Sequence, residues 1–328
     1  MSIVLKPVSR DDRTVRTIQR TRESHAGLLV EVDLPAARTT GLNGVPTIFA
    51  PPAPKLPDIQ KTPDDRGIAI NEVGICDLTY PIVVLDRANQ RQRVAAMISM
   101  SVNLPHHAKG THMSRFLEVL AEHQSGITKG TLPAILTEMK KRLNANSARI
   151  EMEFTVFLER IAPVSGLTAP MDYRCAFIGD SSRTEEQVEV RVSVPVSTLC
   201  PCSKMISDYG AHNQRGYITI SARANRSDDG KWQMLWIEDL IEVAEKSASA
   251  PIYPLLKRTD ERHVTMQAYD NPVFVEDVVR NAAALLREDS RIAWFEVRAV
   301  NLESIHNHSA FAVVRTPSLT RSKQRQQQ

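Results

Sequence analysis

The apolar rhythm of this chain changes period in a set order, and the whole order occurs twice. Over 67–86 and 91–104 apolar and polar residues alternate (Ile68, Ile70 and Val73, then Val94, Ala96, Ile98, Met100 and Val102), the period of two expected of strands with one buried face. A turn at Ala88-Asn89 makes the pair a hairpin. Phe116, Leu117, Val119 and Leu120 after Ser114 have helical spacing, as does 132–143 with its basic last turn of Lys140, Lys141 and Arg142. Strands at 149–158, with Ile150, Met152, Phe154 and Val156 on one face, and at 171–179 close the unit. The order then returns: strands at 187–196 and 216–224, helices at 237–246 and 273–286, strands at 292–301 and 309–315. The expected class is α+β, two tandem ββααββ modules at 66–183 and 184–317 that read as an internal duplication.

The flanks differ from this pattern. Pro46, Pro51, Pro52, Pro54, Pro57 and Pro63 crowd the stretch before the first strand, so 1–65 reads as a poorly ordered arm with room for one short strand at 28–32. Residues 318–328 form a polar tail expected to be disordered. No apolar run approaches the roughly 20 residues that span a bilayer, and the charged amino terminus lacks a signal-peptide core, which points to the cytoplasm. Lys plus Arg number 41 against 38 for Asp plus Glu, so net charge gives no case for nucleic acid or a membrane surface as partner. Four cysteines are too few and scattered for a disulfide framework. Cys76 and Cys175, in strand-like apolar surroundings, read as buried small hydrophobes.

The residues that carry chemistry are not duplicated with the architecture. Cys200-Pro201-Cys202, then Ser203, Lys204 and Ala211-His212-Asn213-Gln214-Arg215, bring two thiols, an imidazole and a guanidinium together in the second module alone. Cys-x-Cys without a second pair does not make a closed zinc knuckle. With a metal, Cys200 and His212 supply one sulfur and one nitrogen, a carboxylate from elsewhere supplies the third ligand, and a position stays open for water. A metal-free reactive thiol is the alternative. Lys109-Gly110-Thr111-His112-Met113-Ser114-Arg115 leads into the first helix and reads equally as an anion cradle or as a cap with solvated charges. The segment 254–263 packs cations, carboxylates and His263 into what reads as a solvated loop. Asn301 to His308 ends a strand, where alternation sends His306 and His308 to one side.

These segments resemble a known family. Thr198-Leu199-Cys200-Pro201-Cys202-Ser203-Lys204, Gly210 to Arg215, Tyr253-Pro254-Leu255-Leu256-Lys257-Arg258, Asn271 to Asp277 and Glu303-Ser304-Ile305-His306 look like the signature segments of prokaryotic GTP cyclohydrolase type IB. Leu56-Pro57-Asp58-Ile59-Gln60 and Gly110 to Phe116 are similar to it too, so the resemblance runs over 56–316. It implies a tunnelling fold, in which the antiparallel sheets of ββααββ modules assemble into barrels with helices outside, and a homotetramer with sites at subunit interfaces. It also implies conversion of GTP and water to 7,8-dihydroneopterin triphosphate and formate, on the route to tetrahydrofolate and 7-deazapurines.

Carried over by motif, Cys200, His212 and Glu261 are the ligands of one Zn2+ or Mn2+ ion, with Fe2+ admitted by the same donors. Asp260 and Glu245 are rival carboxylates for the third position. Cys202 lies beside the reacting carbon, His306 held by Glu303 is the general acid/base, and Glu276 accepts from the guanine edge. Lys109, His112, Arg115, Lys257 and Arg258 are the cations and donors for the triphosphate. The alternatives are an NADPH-dependent 7-cyano-7-deazaguanine reductase of the same fold type and a non-catalytic purine- or metal-binding module.

Overall fold

A computed structural model describes residues 57–87, 91–123 and 128–316. The turn at Ala88-Asn89, the strand expected at 28–32, the tail and the arm before residue 57 lie outside them. The first module runs β1 (Ile70–Leu85), β2 (Arg91–Leu104), α1 (Ser114–Glu122), α2 (Leu132–Leu143), β3 (Ala148–Ile161) and β4 (Thr168–Ser181). The second runs β5 (Glu186–Leu199), α3 (Pro201–Ile206), β6 (Asn213–Ala224), α4 (Ile237–Ser247), β7 (Ala250–Pro251), α5 (Arg258–Asp270), α6 (Val275–Glu288), β8 (Ile292–Asn301) and β9 (Ala310–Arg315). Every pairing is antiparallel, in the order β1-β2-β3-β4-β5-β6-β8-β9, with β7 added beside β5. Two ββααββ units, each contributing four neighbouring strands, thus share one continuous sheet.

The alternation read from the sequence decides which face is covered. Ile98, Met100, Met152, Val192, Val194, Ile218 and Ile220 are buried against Phe116, Leu136, Leu240, Val278 and Ala282 of the helices. The alternate residues face away from the helices and are mostly polar, although Met97, Phe157 and Phe311 are exposed among the strands. Across them runs a ladder of ion pairs, Asp180 to Arg149, Arg191 to Glu151 and Arg223 to Glu189. A sheet face so built does not seek an apolar partner.

Three sequence expectations need correction. Cys175 is buried, but Cys76 is exposed, because the register of β1 on β2 slips between Ile75 and Leu78 and turns Cys76 out of the alternation. The segment taken as a solvated loop at 254–263 enters α5 at Arg258. That helix buries only Asp260 and Ala268, so it has almost no apolar stripe to betray its period. Within the stretch assigned to the arm, Asp64 N–H donates to the His107 carbonyl and Asp58 meets His112, which seats 58–64 on the segment before α1.

Candidate active site

The residues singled out in the second module gather where β5 ends, β6 begins and β8 ends. Leu199 closes β5, and Cys200 caps the short helix α3, its Sγ accepting from Ser203 N–H at 3.4 Å. The Cys200 N–H donates to the His212 carbonyl at 3.1 Å, and the His212 N–H reaches Ser203 Oγ at 3.3 Å. Thiol and imidazole are therefore fastened to one another through the backbone. The ring is fixed as well: His212 Nδ1 lies 2.9 Å from Gln214 Oε1, and Gln214 Nε2 donates to buried Thr198 Oγ1 at 3.0 Å. An amide committed in that direction makes Nδ1 the donor and leaves Nε2 with its lone pair.

Other elements close on the same end. Val273 N–H donates to Leu199 O at 3.1 Å, which sets the start of α6 beside Cys200. Asp277 caps that helix and pairs with Arg280, while the exposed Glu276 one residue before it has no side-chain partner among the described residues. Leu302 N–H donates to Arg215 O, bringing 302–306 alongside. Gly216 permits this approach, since a Cβ there would stand 2.7 Å from Asn301 Oδ1. The link between Glu303 and His306 is a backbone turn, His306 N–H to Glu303 O, and the His306 ring stacks on His308 at 5.0 Å. No carboxylate of this chain holds that imidazole among the described residues.

The three candidate carboxylates for a metal differ sharply in their partners. Asp260 is buried and accepts from Val164 N–H, Ser165 N–H, Ser165 Oγ and Lys257 N–H. Glu245 pairs with Arg160 at 2.7 Å, and burial raises its carboxyl above the usual range against the pull of that guanidinium. Glu261 is exposed and makes no bond with its side chain among the described residues. It does not, however, stand with the thiol and imidazole: no three His, Cys, Asp or Glu side chains of the described residues converge as a metal site. Lys204 Nζ docks on Tyr269 O, which ties α3 to the last turn of α5. Glu261 lies eight residues earlier, roughly 12 Å along that helix.

The phosphate candidates divide by module. Lys257 and Arg258 open α5 with exposed side chains that are unpaired among the described residues. Arg115 instead donates to the Arg142 carbonyl at the end of α2, and His112 is taken by Asp58. Both sit with Lys109 beyond the end of β2. Register carries that end across the sheet, Val102 to Ala148, Ala148 to Ser181 and Ser181 to Glu186, to the start of β5. Cys200 follows its other end, roughly 45 Å away at strand rise.

The comparisons with known proteins identify the family. The family model for type I GTP cyclohydrolase folE2 matches residues 56–312. The chain belongs to this family. It is 48% identical over 270 residues to "GTP cyclohydrolase FolE2" of Nitrosococcus oceani, covering 82% of this chain and 97% of that one. It is 51% identical over 257 residues to the protein of the same name from Syntrophus aciditrophicus, covering 78% and 98%. Among solved structures, a uricase from Arthrobacter globiformis aligns with a TM-score of 0.46 at 9% identity, over 79% of this chain and 96% of that one. The GTP cyclohydrolase match sets aside both the nitrile reductase and the non-catalytic module. No helix of the described residues is long and apolar enough to cross a membrane.

Proposed function

We propose that this chain carries out the GTP cyclohydrolase reaction at the shared end of β5, β6 and β8, with one divalent metal held by Cys200, His212 and Glu261. The products are 7,8-dihydroneopterin triphosphate and formate, the first step toward tetrahydrofolate, in the cytoplasm. The observation that carries the reading is the chain from Thr198 through Gln214 to His212, which leaves Nε2 as an acceptor on a residue whose backbone is bonded to that of Cys200. Metal-ligating histidines are held in this way, through a bond from the other ring nitrogen. Of the three candidate carboxylates, only Glu261 makes no side-chain bond among the described residues. Sulfur, nitrogen and carboxylate together suit Zn2+, and admit Mn2+ or Fe2+. When bound, such a metal lowers the pKa of water toward neutrality.

The chain's own residues have separate tasks. Cys202, exposed on α3, faces the reacting carbon and passes protons. His306 takes and returns the proton at the opening ring, while Glu303 accompanies it from the neighbouring turn. Glu276 accepts from the guanine N1–H and 2-amino group, a pairing that a carboxylate with no competing cation performs best. Lys257 and Arg258 receive the triphosphate from the same chain. Lys109 and His112, at the far end of the sheet, reach a site only when a second copy supplies them, which favours a homotetramer with composite sites.

Purified protein incubated with GTP and Zn2+ or Mn2+ is expected to release formate and, after oxidation, a fluorescent pterin. The Cys200→Ala and Glu261→Ala variants are expected to lose both the metal and the activity. Absence of product with every divalent metal, or full metal content in Cys200→Ala, would remove this reading.

A further inference from the structure

The two modules part company at one place in the sheet. β4 pairs with β5 only from Arg174 opposite Ser193 onward. Toward the other end of β4 the strands separate, and β7 takes the vacated side of β5 at Ser197 and Val196. A cavity of about 340 Å³ lies in this splay, lined by Asp172 and Arg174 of β4, Ser193 of β5, Arg215 and Tyr217 of β6, and Tyr253 of the loop that leads to α5. Its lining reaches Arg215, three residues after His212, and Pro254, three residues before Lys257.

Its arginines differ from the ion-paired ones of the sheet. Arg149, Arg191 and Arg223 are each neutralised by a carboxylate at 2.6, 3.0 and 3.3 Å. Arg174 and Arg215 are not: neither guanidinium has a hydrogen-bond or ion-pair partner among the described residues. Register sets Arg174 opposite Ser193 and Arg215 opposite Ser197, four residues apart along β5, or roughly 13 Å. Guanidiniums with five donors each, spaced along a wall and bordered by a serine and two phenols, match a chain of phosphates better than a single carboxylate.

The geometry points to this splay as the seat of the nucleotide's phosphate chain, with two ligands: Arg215, whose guanidinium the sequence groups with the thiols without giving it a task, and Arg174, which the sequence does not single out. The assignment rests on the active-site reading above and takes over the role of Arg115, whose guanidinium is spent on the end of α2. Asp172, the one carboxylate lining the cavity, limits the charge the pocket accepts and opposes a free anion that carries no counter-ion.

Inorganic tripolyphosphate is the probe, because it carries the anion without the purine. Isothermal titration of the purified protein is expected to show binding that weakens about tenfold or more in Arg174→Gln and in Arg215→Gln, the loss of one charge-assisted contact each. Lysine at either position is expected to restore part of it, and Asp172→Asn to tighten it. KM for GTP should rise in step in the glutamine variants. Both arginines are exposed and unpartnered, so matching melting curves and metal contents show that the fold and the metal centre stand. Tripolyphosphate binding and KM unchanged in both glutamine variants would overturn the proposal, as would weaker binding in Asp172→Asn. The titration needs neither turnover nor metal, so it reads the cavity even if Cys200→Ala shows the metal reading to be wrong.

Discussion

An imidazole can offer Nε2 as a lone pair only while Nδ1 keeps its proton, and in His212 that condition is set by Gln214 Oε1. Gln214→Ala frees the ring to take either tautomer. Zinc affinity is expected to fall about 10- to 100-fold, the usual consequence of removing such a bond, and competition with a chromogenic chelator measures it. Affinity equal to that of the unaltered protein would mean that the amide does not hold the ring. Asp260 and Glu261 show the same dependence on surroundings. Burial disfavours a charge on Asp260, yet the donors of Ser165, Lys257 and Val164 outweigh it and hold the carboxyl well below the usual carboxylate range. A depressed folded pKa gives stability that is complete above the unfolded value of 3.8 and is lost as pH falls through the folded one. Asp260→Asn is therefore expected to melt earlier at neutral pH and to lose less stability than the unaltered protein on acidification below about pH 4, as thermal melts across pH would show. Glu261→Ala, which removes no internal bond, is expected to leave the melting curve of the metal-free protein in place. A thiol buried as Cys175 is pushed far above its ordinary pKa by desolvation and stays inert.

At the scale of elements, polar contacts join the two modules through α4. Arg87, after β1, pairs with Asp239 and Glu242, and Arg160 of β3 pairs with Glu245. The last of these is the more consequential, since Glu245 is largely buried and burial raises its carboxyl against Arg160. Arg160→Met would leave that charge without a partner. The expected loss is about 3–5 kcal/mol, with the double variant Arg160→Met, Glu245→Met recovering much of it. Urea unfolding of the two single variants and the double one gives the coupling, and a coupling near zero would show the pair to be ornamental. The sign with pH follows from the raised carboxyl: the folded state holds the extra proton, so the deficit of Arg160→Met grows as pH rises past the glutamate value of 4.5. The same elements show what a sequence can reveal. Ile98, Met152 and Ile220 alternate with polar neighbours because one face of every strand is covered, and both modules could be read from that. Helix α5 could not, because its inward residue is a hydrogen-bonded Asp260 instead of a leucine. The motifs named Cys200, His212, Glu276 and Glu261 and grouped Arg215 with the thiols, while Arg174 went unnoticed and neither arginine received a task, because their value lies in the absence of partners, which only three dimensions reveal.

On the scale of the whole molecule, the sheet of the described residues ends at β1 and at β9, and one of its faces, mostly polar, is not covered by the helices. The end that carries the candidate site is also greasy: Met205 is 88% exposed, Ile206 78% and Tyr209 100%. Exposed apolar side chains of that kind fit the proposed contact with another chain. The distribution of the proposed cations points the same way. Lys109 stands beyond β2 at one end of the sheet and Cys200 beyond β5 at the other, so a site that uses both must draw them from different copies. Two predictions follow from that geometry. Light scattering on the eluting protein is expected to give four chain masses, with Ile206→Asp plus Tyr209→Glu giving smaller, inactive particles. More decisive is complementation. Cys200→Ala and Lys109→Glu are each expected to be inactive alone, yet subunits of the two exchanged in one tube would form some sites with Lys109 from the first variant and Cys200 from the second. Those sites are intact, and activity would return from two dead proteins. If each chain instead completed its own site, every site in the mixture would keep one lesion, and the mixture would stay as inactive as its parts.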